Sequence, residues 1–146
     1  EDHRTQDFGR VLASQMSVED YVRRYPLAFR RPIIKEPNLT LMGPQLAEQF
    51  PEARWVMVIR DPVQNIRSLL DRVGLAGDLE RLDDSAVQKL QPPWNLLFEH
   101  PTGSADWPEH YIDQLAERWC LFAGVTRQLP TTPLVVRYED FSKSCH

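Results

Sequence analysis

The chain has 146 residues, the size of one domain, with 42% apolar and 26% charged residues, a composition that supports a core and excludes general disorder. The net charge of −4 excludes a general nucleic-acid surface, which needs an excess of Lys and Arg, but an anionic small molecule needs only a few local basic groups. No apolar run reaches the roughly 18 residues of a membrane span.

In chain order, residues 1–14 are polar with little periodicity. Ser17 and Asp20 have the spacing of a capping box, and Val18, Tyr21, Val22 and Tyr25 then fall at helical spacing until Pro26 stops the helix. Pro32, Ile33, Ile34 and Lys35 read as a short buried strand, and residues 38–50 as a helix with Leu39, Met42, Leu46 and Phe50 on one side. Residues 55–60 are the strongest strand, and their five consecutive apolar residues predict burial on both faces, as in a parallel sheet. Asp61 is a good N-cap, and Pro62 suits the first helical position. Val63, Ile66, Leu70 and Val73 make the following helix amphipathic, and Gly74 ends it.

Residues 75–110 form a long irregular stretch with one short helix near 85–90. Its Trp94, Phe98 and Trp107 serve either as a lid or acceptor wall or as packing over a helix, and its His100 and His110 either face substrate or are merely solvated. Residues 111–129 read as a helix with Ile112, Leu115, Trp119 and Phe122 inward, and residues 133–138 as a third strand. The order β-α-β-α-loop-α-β predicts an α/β fold, a parallel sheet flanked by helices in one domain. Ligands on such sheets bind at the carboxyl ends of the strands, which here are Lys35-Glu36, Arg60-Asp61 and Tyr138-Glu139.

Cys120 and Cys145 read as free thiols, which favours a cytoplasmic location, and His3, His100, His110 and His146 are too scattered for a metal signature. The first residue is Glu1, and no leader pattern follows it, so the chain reads as a fragment or a processed protein.

Ser68 stands about two turns, roughly 10 Å, into the helix that opens after Arg60. It is rotated away from the apolar stripe. A guanidinium lying along the helix flank would meet its hydroxyl and form a compact phosphate site. On spacing alone, a surface Arg, an ordinary N-cap and a solvent-facing Ser account for the same residues.

Lys35-Glu36-Pro37, then Phe50-Pro51-Glu52-Ala53-Arg54, then Val58-Ile59-Arg60-Asp61-Pro62 with Ser68 resemble the sulfotransferase superfamily, in particular its bacterial and Golgi-type branch. That branch reads K-x-P, F-P-x-A, then R-D-P with a Ser eight residues after the Arg. Ala116-Glu117-Arg118-Trp119 and Arg137-Tyr138-Glu139-Asp140-Phe141 match two further blocks in the expected order, so the resemblance covers roughly residues 30–141. It implies a P-loop-NTPase-like fold and a metal-free transfer of a sulfuryl group from 3′-phosphoadenosine 5′-phosphosulfate (PAPS) to a hydroxyl or amine. The acceptor would be a small molecule, a glycan or a peptide. Arg60 and Ser68 would hold the 3′-phosphate, and Lys35 would lie near the transferred group as a point charge. For Lys35 a strand-end charge reaching solvent remains the other reading.

Pro37 stands where cytosolic relatives carry a catalytic His, so that base is absent. Glu36 is adjacent and acts as a base if burial raises its pKa, or is an ordinary exposed Glu. Tyr138-Glu139-Asp140 suits packing and capping. The family's opening strand and Gly- and Ser/Thr-rich phosphate loop have no counterpart, because none of Gly9, Gly43, Gly74, Gly77, Gly103 and Gly124 opens a helix after a strand in that way. The sulfotransferase fold is therefore expected to be incomplete and the isolated chain inactive. In the family sheet the missing strand lies between the strands at 55–60 and 133–138. The other function open to the sequence is a non-catalytic nucleotide-binding or protein-interaction domain that keeps the Arg–Ser site. Oligomeric state and acceptor identity are not readable.

Overall fold

The computed structural model describes residues 3–78, 83–91, 94–101 and 106–143. Gly103, Cys145 and His146 lie outside the described residues. Val56, Met57, Val58 and Ile59 form strand β1 (Val56–Ile59), and Leu134, Val135, Val136 and Arg137 form β2 (Leu134–Arg137). Both runs are rich in the β-branched residues that suit a pleated backbone. They pair in parallel and in register, Val56 opposite Leu134 and Ile59 opposite Arg137. The two strands are thus direct neighbours, and the family's intervening strand is not needed for their pairing. The chain is mostly helical around this two-stranded parallel sheet, which places it in the α/β class.

Burial on both faces does not hold. Successive side chains of a strand point to opposite faces, and parallel register puts Val56 and Val58 on the same face as Leu134 and Val136. Val56, Val58 and Leu134 are 57%, 59% and 64% exposed, while Met57 and Ile59 on the other face are half-buried.

Helix α1 (His3–Leu12) occupies the polar start, where the sequence shows little periodicity; it buries Phe8 and Asp7. Helix α2 (Val18–Arg24) begins at the expected box, since the Ser17 hydroxyl accepts the Asp20 N–H at 3.0 Å. Helix α3 (Pro26–Phe29) follows at once. The strand expected at Pro32–Lys35 is not formed. The described backbone there is bent, no neighbour supplies hydrogen bonds, and Ile33 is 82% exposed.

The helix expected over residues 38–50 divides into a 3₁₀ stretch, Pro37–Met42, and helix α4 (Gly43–Gln49). Pro44 lacks an N–H and cannot continue a helix from the preceding turn, so a new one starts there. Gly43 also permits a close approach: a Cβ would stand 3.0 Å from Val125 Cγ1. Phe8, Tyr21, Leu39, Met42 and Leu46 form one core cluster, on which Trp55 also packs.

Helix α5 (Pro62–Val73) is built as its sequence predicts. The Asp61 carboxylate accepts the Gln64 N–H at 3.0 Å, and Gly74 closes the helix at φ 73°, a left-handed value that glycine adopts without penalty. Val63, expected inward, is exposed. Helix α6 (Tyr111–Gly124) is shorter than expected and continues as a 3₁₀ turn, Val125–Arg127. Leu70 of α5 and Tyr111 and Leu115 of α6 form a second core cluster with Phe98. Of the irregular stretch, Asp84–Lys89 and Trp94–Leu97 are 3₁₀ turns. Helix α7 (Tyr138–Lys143) follows β2 directly. No helix of the described residues is long and apolar enough to cross a membrane.

Candidate functional site

The junction between β1 and α5 is the best-braced point of the sheet. Arg60 and Asp61 leave the strand, and three side chains from the end of the chain hold them. The Trp119 indole N–H of α6 donates to the Arg60 carbonyl at 3.1 Å. The Glu139 carboxylate of α7 accepts the Asp61 N–H at 2.7 Å. The Tyr138 ring lies 4.9 Å from the Arg60 guanidinium carbon, a cation–π contact. The Glu139 carboxyl is held below the usual carboxylate range, first by the Asp61 N–H, then by its own backbone N–H and by the positive charges of Arg137 and Arg60.

This bracing leaves the Arg60 side chain half-buried and only partly satisfied. Its Nε is buried and has no hydrogen-bond partner among the described residues. Beside it opens a shallow cavity of about 300 Å³, lined by Arg60, Gln64, Arg67, Ser68 and Asp71. The last four follow the i, i+3, i+4, i+7 pattern that puts side chains on one face of a helix. Arg60 and Ser68, singled out by their spacing, both line this cavity. Gln64, Arg67 and Asp71 escaped the sequence reading, although the same periodicity that marks the apolar stripe of α5 marks this polar one. Two guanidinium groups, an amide and a hydroxyl offer donors to an oxyanion, and one carboxylate sets a limit on the net positive charge.

Lys35 and Glu36 are not among the residues lining this cavity. Lys35 is exposed and makes no hydrogen bond or ion pair among the described residues. The Glu36 carboxylate is half-buried and faces Arg4 of α1 at 3.2 Å.

Several described side chains of the irregular stretch are engaged in packing. Phe98 is buried, the Trp107 indole donates to its carbonyl at 2.7 Å, and His100 meets the Trp107 ring edge-on at 4.7 Å. His110 pairs with Asp84 at 3.0 Å, and Asp84 also accepts the Tyr111 N–H at 3.3 Å, which ties the Asp84–Lys89 turn to the start of α6. The Asp84 hydrogen bond raises the His110 pKa above its ordinary value, and the same bond lowers that of Asp84. Trp94 lies under the Arg72 guanidinium at 5.2 Å.

A second charge cluster, unread from the sequence, centres on buried Asp7. Its carboxylate accepts from the Tyr25 hydroxyl at 2.8 Å and pairs with Arg10 and Arg24 at 3.1 Å. All its partners belong to α1, α2 and the turn after α2, so it serves the N-terminal packing. Among the described residues no group of three or more His, Cys, Asp or Glu is placed to hold a metal ion, and Cys120 is a free, exposed thiol. Comparison of the chain with protein-family models, with curated proteins and with solved structures returns no match.

Proposed function

We propose that this chain carries the 3′-phosphate-binding part of a PAPS-dependent sulfotransferase. The observation that supports it is the cavity at the β1–α5 junction, where Arg60 presents a buried, unpartnered Nε and Ser68 lines the same wall. Supporting it further, three of the five blocks that carry the resemblance meet at one place, since Trp119, Tyr138 and Glu139 all touch Arg60 or Asp61.

In this reading Arg60 and Ser68 bind the 3′-phosphate, Arg60 by a charge-assisted fork and Ser68 by its hydroxyl. PAPS, when bound, supplies the sulfuryl group. Lys35 offsets negative charge that develops at the transferred group, and Glu36 takes the acceptor proton once released from Arg4. The fold would be an incomplete P-loop-NTPase-like sulfotransferase fold, acting in the cytoplasm on a hydroxyl or amine of a small molecule, glycan or peptide. The 146-residue chain by itself would transfer no sulfuryl group, because its sequence holds no Gly/Ser-rich phosphate loop.

One observation favours a second reading, a non-catalytic nucleotide-binding or protein-interaction domain: Glu36 is engaged by Arg4, and neither it nor Lys35 lines the cavity. Calorimetry with adenosine 3′,5′-bisphosphate and transfer of labelled sulfate from PAPS by the protein at its full natural length separate the cases. Binding with transfer supports the enzyme, binding without transfer supports the second reading, and no binding rejects both.

A further inference from the structure

We propose that Arg67 is a second cation for the phosphate held by Arg60 and Ser68, and that Asp71 opposes it, so that the grip on a 3′-phosphate depends on both guanidinium groups and is weakened by the carboxylate. This inference rests on the reading of the cavity as the 3′-phosphate site.

Arg60 alone is poorly matched to such a group. A phosphate monoester carries roughly 1.5 to 2 negative charges near neutral pH. One guanidinium neutralises only part of that. The Arg60 guanidinium also has the Tyr138 ring on it and its Nε buried, so it is a pinned donor with a restricted approach.

Arg67 stands on the adjacent wall of the same cavity, exposed, next in sequence to Ser68. It makes no hydrogen bond or ion pair among the described residues, a state it shares with Arg30, Arg31, Arg54 and Arg127, but unlike them it lines the cavity that holds Arg60 and Ser68. Asp71 lies one turn further along the same face, and it lines the cavity without being within ion-pair distance of Arg67. The Arg67 fork thus keeps its donors unused beside a pinned cation and a hydroxyl. Two guanidinium groups against one carboxylate leave a single net positive charge at the cavity. A phosphate with two charges gains from both cations. A free 3′-hydroxyl in the same place has no charge to offer either cation.

The test is calorimetry on the protein at its full natural length, with adenosine 3′,5′-bisphosphate and adenosine 5′-monophosphate as the two probes. The wild type should prefer the bisphosphate. Arg67→Gln should lower bisphosphate affinity about tenfold, the loss of one charge-assisted contact, and leave the monophosphate unchanged. Arg67→Lys, which keeps the charge and loses the fork, should recover part of the loss. Asp71→Asn should tighten the bisphosphate and not the monophosphate.

If Arg60→Ala abolishes the preference while Arg67→Gln and Asp71→Asn leave it intact, the role given to Arg67 and Asp71 is overturned and the 3′-phosphate reading stands. A wild type that shows no preference overturns both. Should Arg67→Gln fail to fold, Arg67→Lys and Asp71→Asn decide: unchanged bisphosphate affinity in both overturns the proposal.

Discussion

Arg60 does two jobs with different parts of itself. Its carbonyl accepts from Trp119, which anchors the backbone, while its guanidinium faces the cavity with Ser68. Removing the side chain should therefore affect ligand more than fold. We expect Arg60→Ala to cost about 1.5–3 kcal/mol of adenosine 3′,5′-bisphosphate binding, and Ser68→Ala about 1 kcal/mol, because one contact is charge-assisted and the other neutral. Calorimetry on the two variants checks the ranking, and unchanged affinity in Arg60→Ala removes the assignment. The pairing of these two residues was legible because both sit on a single strand-turn-helix unit, whose geometry is local. Their supports were not: Trp119 lies 59 residues from Arg60, and Glu139 lies 78 from Asp61. Sequence suggested only that Tyr138 and Glu139 pack or cap. In the structure Tyr138 stays half exposed with its ring on the Arg60 guanidinium, and Glu139, read from sequence as a cap for the helix that follows it, accepts the Asp61 N–H. The Arg4–Glu36 pair was hidden for the same reason, as two chain segments must meet before it exists.

Among the elements, α5 was read almost to the residue, from its Asp61 cap to its Gly74 stop, because caps are short-range devices. The Pro32–Lys35 strand failed for the opposite reason. A strand exists only if a partner accepts its hydrogen bonds, and nothing in four residues tells whether one is present. The helix over residues 38–50 failed at Gly43 and Pro44, both of which the sequence shows but whose consequence the apolar spacing overrode.

Two element-level junctions give tests. Trp119→Phe keeps the packing of α6 but leaves the Arg60 carbonyl without its donor, and it should cost about 1 kcal/mol of unfolding free energy, measured by urea titration. The His110–Asp84 contact should make stability depend on pH. The His110 pKa is raised in the folded state, so its contribution is complete below the ordinary value of 6.5 and is lost as pH rises through the raised folded value. The Asp84 pKa is lowered, so its contribution is present above 3.8 and is lost as pH falls through the lowered folded value. The pair therefore acts between those limits. His110→Gln should lower the melting temperature more at pH 5.5 than at pH 8. An equal drop at both would show that the imidazolium charge is not engaged. Both side chains are substantially exposed, so the difference should shrink in high salt.

On the scale of the whole molecule, the described residues hold two separate core clusters and a sheet that is sparsely covered, with Val56, Val58, Leu134 and Val135 all largely exposed. Val56, Val58 and Leu134 share the open face, and Val63, Tyr138 and Phe141 are exposed as well. Apolar surface of this kind, beside unpaired strand edges, invites association. Each such side chain is worth roughly 1.5–3 kcal/mol when fully buried, against a typical domain stability of about 5–15 kcal/mol. The 146-residue chain should therefore show concentration-dependent self-association in analytical ultracentrifugation. Val58→Thr with Leu134→Thr should reduce it while leaving the melting temperature nearly unchanged. A monomer at all concentrations, with a sharp reversible transition, would mean that this face is tolerated in water. The class of fold was legible because strand and helix periods differ. The coverage of the sheet was not, because burial depends on how many layers the chain supplies.

The crossover that joins Ile59 to Leu134 also sets an order in time. Trp119, Tyr138 and Glu139, which fix the Arg60–Asp61 junction, are all made well after the junction itself, Trp119 within the crossover and the other two beyond it. At a synthesis rate of roughly 5–20 residues per second, Glu139 follows Asp61 by about 4 to 16 s. Until Trp119 is made the junction has none of its three supports, and until Leu134 is made β1 lacks the parallel partner it has in the fold. The emerging chain thus passes through a stage in which Arg60 already exists without a defined pose. β2 and α7 supply the Tyr138 and Glu139 supports of the junction, so a nascent chain stalled before Leu134 should not bind the nucleotide.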